Sequence, residues 1–235
     1  MNNIRLLISQ RTLSEKGTGW HKDVFDNLKN KLNDPDFPCV FSKRAFRKKL
    51  LLFIFVENNS HEELNHLIET LKEFIAIERK WNKEIDTASP LVVAFSKNAI
   101  SANTIEGYHN YGWSILQKLH DNDTIPWPEN VGIDPDAEGW SMCFDGMQLF
   151  INMSTPENKK RRSRNLGDHL IFIINPRERF DVIAGENPIG RKIRSNIRKR
   201  IENYDGMERA KQLGSYSTGA LEWWQYGLIE GSCTQ

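Results

Sequence analysis

Cysteine is scarce in this sequence. Its 235 residues include only Cys39, Cys143 and Cys233, and no two of them have CxxC spacing. An odd number of widely spaced cysteines predicts neither a disulfide framework nor a zinc knuckle. A reducing compartment suits such a chain, so we expect a cytoplasmic protein.

Long hydrophobic runs and an excess of charge of one sign are also missing. The longest apolar run, Leu50 to Val56, is far shorter than the ~20 residues that span a bilayer. The N-terminus has no signal-peptide pattern. The formal net charge is +1, from 32 basic and 31 acidic residues. We therefore expect no membrane association, and the overall charge gives no reason to expect a nucleic-acid partner.

Common catalytic motifs are absent as well. The sequence has no HExxH, no Walker loop, no GxGxxG and no serine nucleophile elbow, so zinc hydrolysis, nucleotide hydrolysis and dinucleotide binding lack support. His109 and His120 share one face of a predicted helix but stand ~16 Å apart at 1.5 Å rise per residue. They cannot bind the same metal ion.

Hydrophobic periodicity predicts strands alternating with helices. Strands are expected at residues 50–57, 90–96 and 169–176, with a hairpin over 140–154 that turns at Asp145-Gly146. Helices are expected at residues 20–32, after the capping residue Ser60, at 104–120 and from Pro188 to Asp205. This order predicts an α+β fold, a mixed β-sheet with a hairpin in its C-terminal part and several flanking helices. We expect one domain over residues 1–235, opened by a helical segment at 1–35.

The segment Asp36-Phe37-Pro38-Cys39-Val40-Phe41 places a thiol between a proline and an aromatic residue. Pro38 fixes the preceding backbone, and the basic run that follows favours a thiolate. A buried cysteine is more often a small hydrophobic side chain. Both interpretations of Cys39 stay open on the residues alone.

Two basic runs, Lys159 to Arg164 and Arg191 to Arg200, are the best indication of an anionic partner. Arg191, Arg194 and Arg198 lie along one predicted helical row beside an isoleucine stripe. Guanidinium forks bind carboxylates and phosphates, so this row suits propionate groups, a substrate carboxylate or nucleic acid. A solvated helix face is the simpler alternative.

Seven segments occur in a familiar order: FPCVF, YGWSILQKLHDNDTIPWP, DPDAEGWSMCFDG, RRSRNL, NPRERFD, IRKRIENYDG and EWWQYGL. Together they resemble the YqcI/YcgG family, which includes haem-dependent guanidino N-hydroxylases. The resemblance covers residues 36–228. It implies a haem b (iron) monooxygenase that uses O2 and an external electron donor to hydroxylate a guanidine nitrogen of arginine or a similar compound.

Under this resemblance several residues acquire candidate roles. A thiolate ligand to haem iron assists O–O cleavage, so Cys39 becomes the candidate proximal ligand, with His120 as the competitor. Phe37 and Phe41 could flank the porphyrin. Candidates for the haem propionates are Arg161, Arg162, Arg164, Arg177 and Arg179.

A guanidinium substrate calls for acidic and aromatic partners. The family-like segments supply Asp123, Asp134, Asp136, Asp145, Glu222, Trp127, Trp140, Trp223 and Trp224. No pattern distinguishes the acid that would contact the substrate. The alternative function is a non-catalytic protein that senses haem or binds nucleic acid through its arginine-rich helix.

Overall fold

The computed structural model describes residues 7–185, 187–214 and 220–230. These residues form six strands, β1 Ile8–Ser9, β2 Leu52–Val56, β3 Leu91–Phe95, β4 Met142–Phe144, β5 Met147–Ser154 and β6 Leu170–Pro176. They also form seven helices, α1 Gln10–Lys16, α2 Gly19–Asn33, α3 Val40–Arg47, α4 His61–Glu78, α5 Ile105–Asp121, α6 Glu178–Ala184 and α7 Pro188–Asp205.

The six strands make one mixed sheet in the order β1-β2-β3-β6-β5-β4. Only β2 and β3 run parallel, and every other neighbouring pair is antiparallel. The β4–β5 hairpin turns at Asp145 (φ 48°) and Gly146 (φ 70°), two residue types that tolerate the left-handed backbone of a tight turn. The predicted α+β fold, with its mixed sheet, hairpin and flanking helices, is confirmed.

The sheet separates two hydrophobic cores. On β3, Leu91, Val93 and Phe95 face one core, whereas Val92 and Ala94 face the other, as the two-residue period of a strand requires. Helices α4 and α5 cover the first face, which we call the α5 face. Helices α2 and α3, with Tyr204 of α7, cover the second face, which we call the α2 face. This division decides which candidate residues can meet.

The helix ends follow the capping chemistry expected from the sequence. Ser60 Oγ accepts a hydrogen bond from Glu63 N (3.2 Å) and starts α4. A capping box would also have the Glu63 carboxylate accept from Ser60 N. Here the Glu63 carboxylate accepts from Glu57 N (2.8 Å), and Ser60 N donates to the Asn58 side chain (2.8 Å). Helices α1, α3 and α6 were not predicted. No helix among the described residues is long and apolar enough to cross a membrane.

Candidate functional site

Cys39 is the residue that begins helix α3. Its backbone is extended (φ −82°, ψ 98°), and its Sγ accepts a hydrogen bond from Ser42 N at 3.4 Å. The Ser42 hydroxyl donates in return to the Cys39 carbonyl at 2.9 Å. The sulfur of Cys39 thus lies at a helix N-terminus, which carries partial positive charge.

The backbone ahead of Cys39 is held by one side chain of α7. The Arg200 guanidinium donates to the carbonyl oxygens of Phe37 (3.0 Å), Pro38 (3.2 Å) and Pro35 (3.3 Å). Three bonds from one planar group fix the segment of residues 35–38 relative to α7. The position of the thiol is therefore tied to the position of that helix.

Cys39 lines a cavity of about 210 Å³ on the α2 face of the sheet, which we call the Cys39 cavity. Most of the lining is apolar and comes from α2, the Cys39 segment, the sheet and α7. Its apolar members are Leu28, Leu32, Phe37, Pro38, Leu51, Pro90, Val92, Leu166, Ile173, Ile197, Ile201, Leu213 and Leu228, and its polar members are Cys39, Ser42, Asn152, Ser154, Ser163 and Arg164. A thiol thus lies on the wall of a largely apolar space.

Arg164 is the only charged side chain among the described residues that line the Cys39 cavity. It is 6% exposed. Burial lowers the pKa of Arg164 to about 9; the charge of Asp205 opposes this effect and that of Arg161 adds to it. The cavity therefore offers a cationic group to a ligand and, within the described lining, no carboxylate.

The other predicted arginines do not line this cavity. Arg161 donates to the carbonyls of Ile229 and Glu208, and Arg162 lies 4.5 Å from the centre of the Tyr204 ring. The remaining two pair with carboxylates, Arg177 with Glu222 at 3.2 Å and Arg179 with the buried Glu78. Of the five candidates for haem propionates, only Arg164 reaches the space beside Cys39.

The competing ligand His120 lies elsewhere. It is exposed at the end of α5, and its ring meets that of Trp127 edge-on at 5.2 Å. Trp127 packs against the core of the α5 face, so the sheet separates His120 from Cys39. Phe37 lines the cavity, and its ring centre lies 5.7 Å from that of Tyr204. Phe41 is half-buried in α3 and does not line the cavity.

The predicted tryptophans assemble on the α5 face. An aromatic cluster there has ring centres 5.8 to 6.3 Å apart, and its members are Trp113, Trp127, Trp140, Trp223 and Tyr226. Trp224 is nearly half exposed at the edge of the cluster, with its ring centre 5.9 Å from that of Trp223. The predicted tryptophans were expected to contact the substrate, but the fold places the cluster across the sheet from Cys39.

Glu222 is buried beside this cluster, with only 2% of its surface exposed. Its Oε1 accepts hydrogen bonds from the hydroxyls of Ser141 (2.7 Å) and Tyr226 (2.6 Å), while Oε2 lies 3.2 Å from Arg177 Nε. Burial raises the pKa of Glu222 to about 7, and the two hydroxyls and Arg177 oppose the rise. Both carboxylate oxygens thus have partners inside the protein.

The predicted aspartates stabilise turns. Asp123 accepts from the backbone N of Asp145 (2.9 Å), and Asp145 pairs with Arg79 (3.0 Å). Asp134 accepts from the backbone N of Asp136 (3.0 Å), and Asp136 accepts from Trp223 Nε1 (3.2 Å). These carboxylates serve local structure and do not line the Cys39 cavity.

Two arginines of the predicted row on helix α7 donate hydrogen bonds to backbone carbonyls. Arg194 donates to the carbonyls of Ala184 and Gly185, and Arg198 donates to that of Gly214. The isoleucines of α7 have different environments, because Ile197 and Ile201 line the cavity while Ile189 is exposed. The row therefore holds α7 against its neighbouring segments.

The other two thiols differ from Cys39. Cys143 is fully buried in β4, where its Sγ donates to the Ser141 carbonyl at 3.4 Å. Burial raises the pKa of Cys143 to about 12, which keeps it a neutral thiol. Cys233 lies outside the described residues. Cys143 is the buried structural cysteine that its position in a strand predicts.

Sequence reasoning missed several residues of the site. Arg200 belongs to the basic run Arg191 to Arg200. It lies on a different helical row from Arg191, Arg194 and Arg198, which were the predicted anion-binding residues of this run. Asn152 and Ser154 break the apolar pattern of β5 on the face that lines the cavity, and that break was the available signal. Tyr226 occurs in the EWWQYGL segment without an assigned role.

The chain is similar to a known protein family and to several known proteins. The sequence pattern of the YqcI/YcgG family matches residues 28–234. A Streptomyces lavendulae protein named "Putative N(omega)-hydroxy-L-arginine synthase DcsA" is 57% identical over 224 residues, which is 95% of this chain and 84% of that protein.

Two Bacillus subtilis proteins are also similar. YqcI is 31% identical over 92% of this chain and 85% of its own length, and YcgG is 33% identical over 92% and 86%. No solved structure matches significantly. With most of its length covered by the family pattern and by these relatives, the chain belongs to the YqcI/YcgG family.

Proposed function

We propose that this protein is a haem-dependent N-hydroxylase that adds one oxygen atom to a guanidine nitrogen of arginine or a related guanidino compound. The observation that carries the proposal is the thiol of Cys39, which lies at a helix N-terminus on the wall of a mostly apolar cavity. The name of the 57% identical relative, an N-hydroxy-arginine synthase, supports the choice of reaction.

The donor set of the Cys39 cavity fits haem b. Cys39 would ligate the iron, Phe37 and Pro38 would lie against the ring, and the aliphatic walls suit a porphyrin. When bound, haem would supply the oxygen-activating chemistry, with O2 and electrons from an external donor. Arg164 can bind a carboxylate in the same space.

The present volume of about 210 Å³ is below the roughly 300–1000 Å³ of typical ligand pockets. Loading the cavity with haem therefore requires one wall to move.

The protein's own groups would do three things. The backbone N–H of Ser42 would hold negative charge on the Cys39 sulfur. The aliphatic walls would exclude water and so protect activated oxygen from unproductive discharge. Because no carboxylate lines the described cavity, the guanidinium would be met by neutral oxygen acceptors such as Asn152 and Ser154.

Reconstitution with haem tests this function. We expect the reduced carbonyl complex to show the spectrum of a thiolate-ligated haem, and Cys39→Ala to lose it. Cys143→Ala is the matched control, since its thiol lies buried in β4 and should leave the spectrum unchanged. An unaltered spectrum in Cys39→Ala would transfer the ligand role to another residue, His120 first.

Catalysis is tested with arginine, O2 and a reductant. Mass spectrometry should find one added oxygen on a guanidine nitrogen, and arginine should perturb the haem spectrum more than lysine, which carries the same charge without the planar group. If no guanidino compound gives either signal, a haem-binding protein without oxygenase activity becomes the better explanation.

A further inference from the structure

The environment of Arg164 is unusual for a buried cation. Its Nη1 donates to the Tyr226 carbonyl at 3.0 Å and its Nη2 to the Gln225 carbonyl at 2.9 Å. Among the described residues, no carboxylate lies within ion-pair distance of this guanidinium. A buried charge is costly unless an opposite charge pairs with it. Arg164 has two neutral carbonyls in place of a direct ion pair, and the charge of Asp205 acts on it from a greater distance.

The second observation is the location of this charge. Arg164 lines the Cys39 cavity together with the polar side chains of Asn152, Ser154 and Ser163. An anion in the cavity would compensate the buried charge of Arg164, whereas the hydroxyls of Ser154 and Ser163 already donate to Asn152 Oδ1 and Asp205 Oδ2. A carboxylate is the best match, because its two oxygens fit the planar donors of a guanidinium.

The neighbouring arginines do not line the cavity, although Arg161 is also buried. Arg161 donates to the carbonyls of Ile229 and Glu208, and Arg162 stacks on the Tyr204 ring. Neither lines the cavity. The anion site is therefore specific to one arginine of the Lys159–Arg164 run.

We propose that Arg164 is a carboxylate-binding subsite inside the Cys39 cavity, which makes the substrate a guanidino acid and discriminates against guanidino amines that lack the carboxylate. The identity of the ligand rests on the proposed function, but the presence of an anion subsite does not. A haem propionate carries the same chemistry, and the experiment separates the two sources.

The first arm uses haem-free protein and calorimetry with arginine and agmatine, which share the guanidinium but differ in the carboxylate. We expect arginine to bind the wild-type protein about 10- to 100-fold more tightly than agmatine, the range expected for charge-assisted hydrogen bonds. Arg164→Gln should abolish that preference. Arg162→Gln, the matched control outside the cavity, should retain it.

The second arm measures uptake of haem and of haem dimethyl ester, whose propionates are neutral. If a propionate is the natural anion, Arg164→Gln should weaken haem uptake about 10-fold or more and leave uptake of the ester unchanged. The proposal is overturned if Arg164→Gln changes neither the arginine preference nor haem uptake.

Two safeguards keep the outcomes distinct. If Arg164→Gln does not fold, Arg164→Lys, which keeps the charge, is measured in its place. The wild-type comparisons of arginine with agmatine and of haem with its ester need no variant. Absence of both preferences then refutes the subsite. Binding of arginine that depends on Arg164 in a protein that takes up no haem would support the subsite and refute the haem proposal.

Discussion

Replacing Glu222 by glutamine should change how the stability of this protein depends on pH. Burial raises the pKa of Glu222 from its ordinary 4.5 to about 7 in the folded protein. In the unfolded chain the same carboxyl group ionises near its ordinary value. Between these two values the folded state holds a proton that the unfolded state has released.

The sign follows from proton linkage. Unfolding releases this proton, so the free energy of unfolding falls as the pH rises, with a slope that approaches −1.4 kcal/mol per pH unit. Stability from the protonated group is complete below about pH 4.5 and lost by about pH 7. Over the shift from 4.5 to about 7, the loss amounts to about 3 kcal/mol.

Urea unfolding at half-unit steps from pH 4.5 to 8, followed by tryptophan fluorescence, measures this effect. The advantage of the wild type over Glu222→Gln should shrink by about 3 kcal/mol across the window. Glu69→Gln, which removes an exposed carboxylate of α4, should run parallel to the wild type. Parallel curves for wild type and Glu222→Gln would refute the assignment of a raised pKa to this group.

Two further substitutions test the packing of the α5 face, again by urea unfolding. Arg179→Met should destabilise the protein by about 3–5 kcal/mol because it leaves Glu78 buried without its partner. Adding Glu78→Leu should recover most of this loss, and a double variant no more stable than Arg179→Met would contradict the explanation. Gly112→Ala would put a Cβ 2.8 Å from Met153 Sδ and should lower the free energy of unfolding by about 1–3 kcal/mol, offset by up to about 1 kcal/mol of helix propensity. In the control Gly132→Ala, the new Cβ meets nothing within 4 Å, so the stability should change little.

Much of the fold follows from local patterns. The strands β2, β3 and β6 are apolar runs of strand length, and α4, α5 and α7 have clear capping residues or a regular apolar stripe. Helix α3 was not predicted because its first turn is capped by a cysteine and three of its eight residues, Lys43, Arg44 and Arg47, are basic. Cysteine is not among the residues that normally mark a helix start.

The grouping of the candidate site was harder to predict. A two-residue period shows that Asn152 and Ile151 face opposite sides of β5, but it does not show which side carries Cys39. That depends on β6 lying between β3 and β5, a long-range pairing. The tryptophans and acids were therefore assigned to the same site as Cys39, although the sheet separates them.

The contacts of Arg200 also bear on the synthesis of the protein. They join residues 162 to 165 positions apart, from Pro38 and Pro35 to the last third of the chain. At about 5–20 residues per second, a ribosome takes roughly 8–30 s to reach Arg200 after it has added Pro38. Throughout that interval the nascent chain carries the Cys39 thiol without α7 to cover it. Any cofactor that needs both must be acquired after translation is nearly finished.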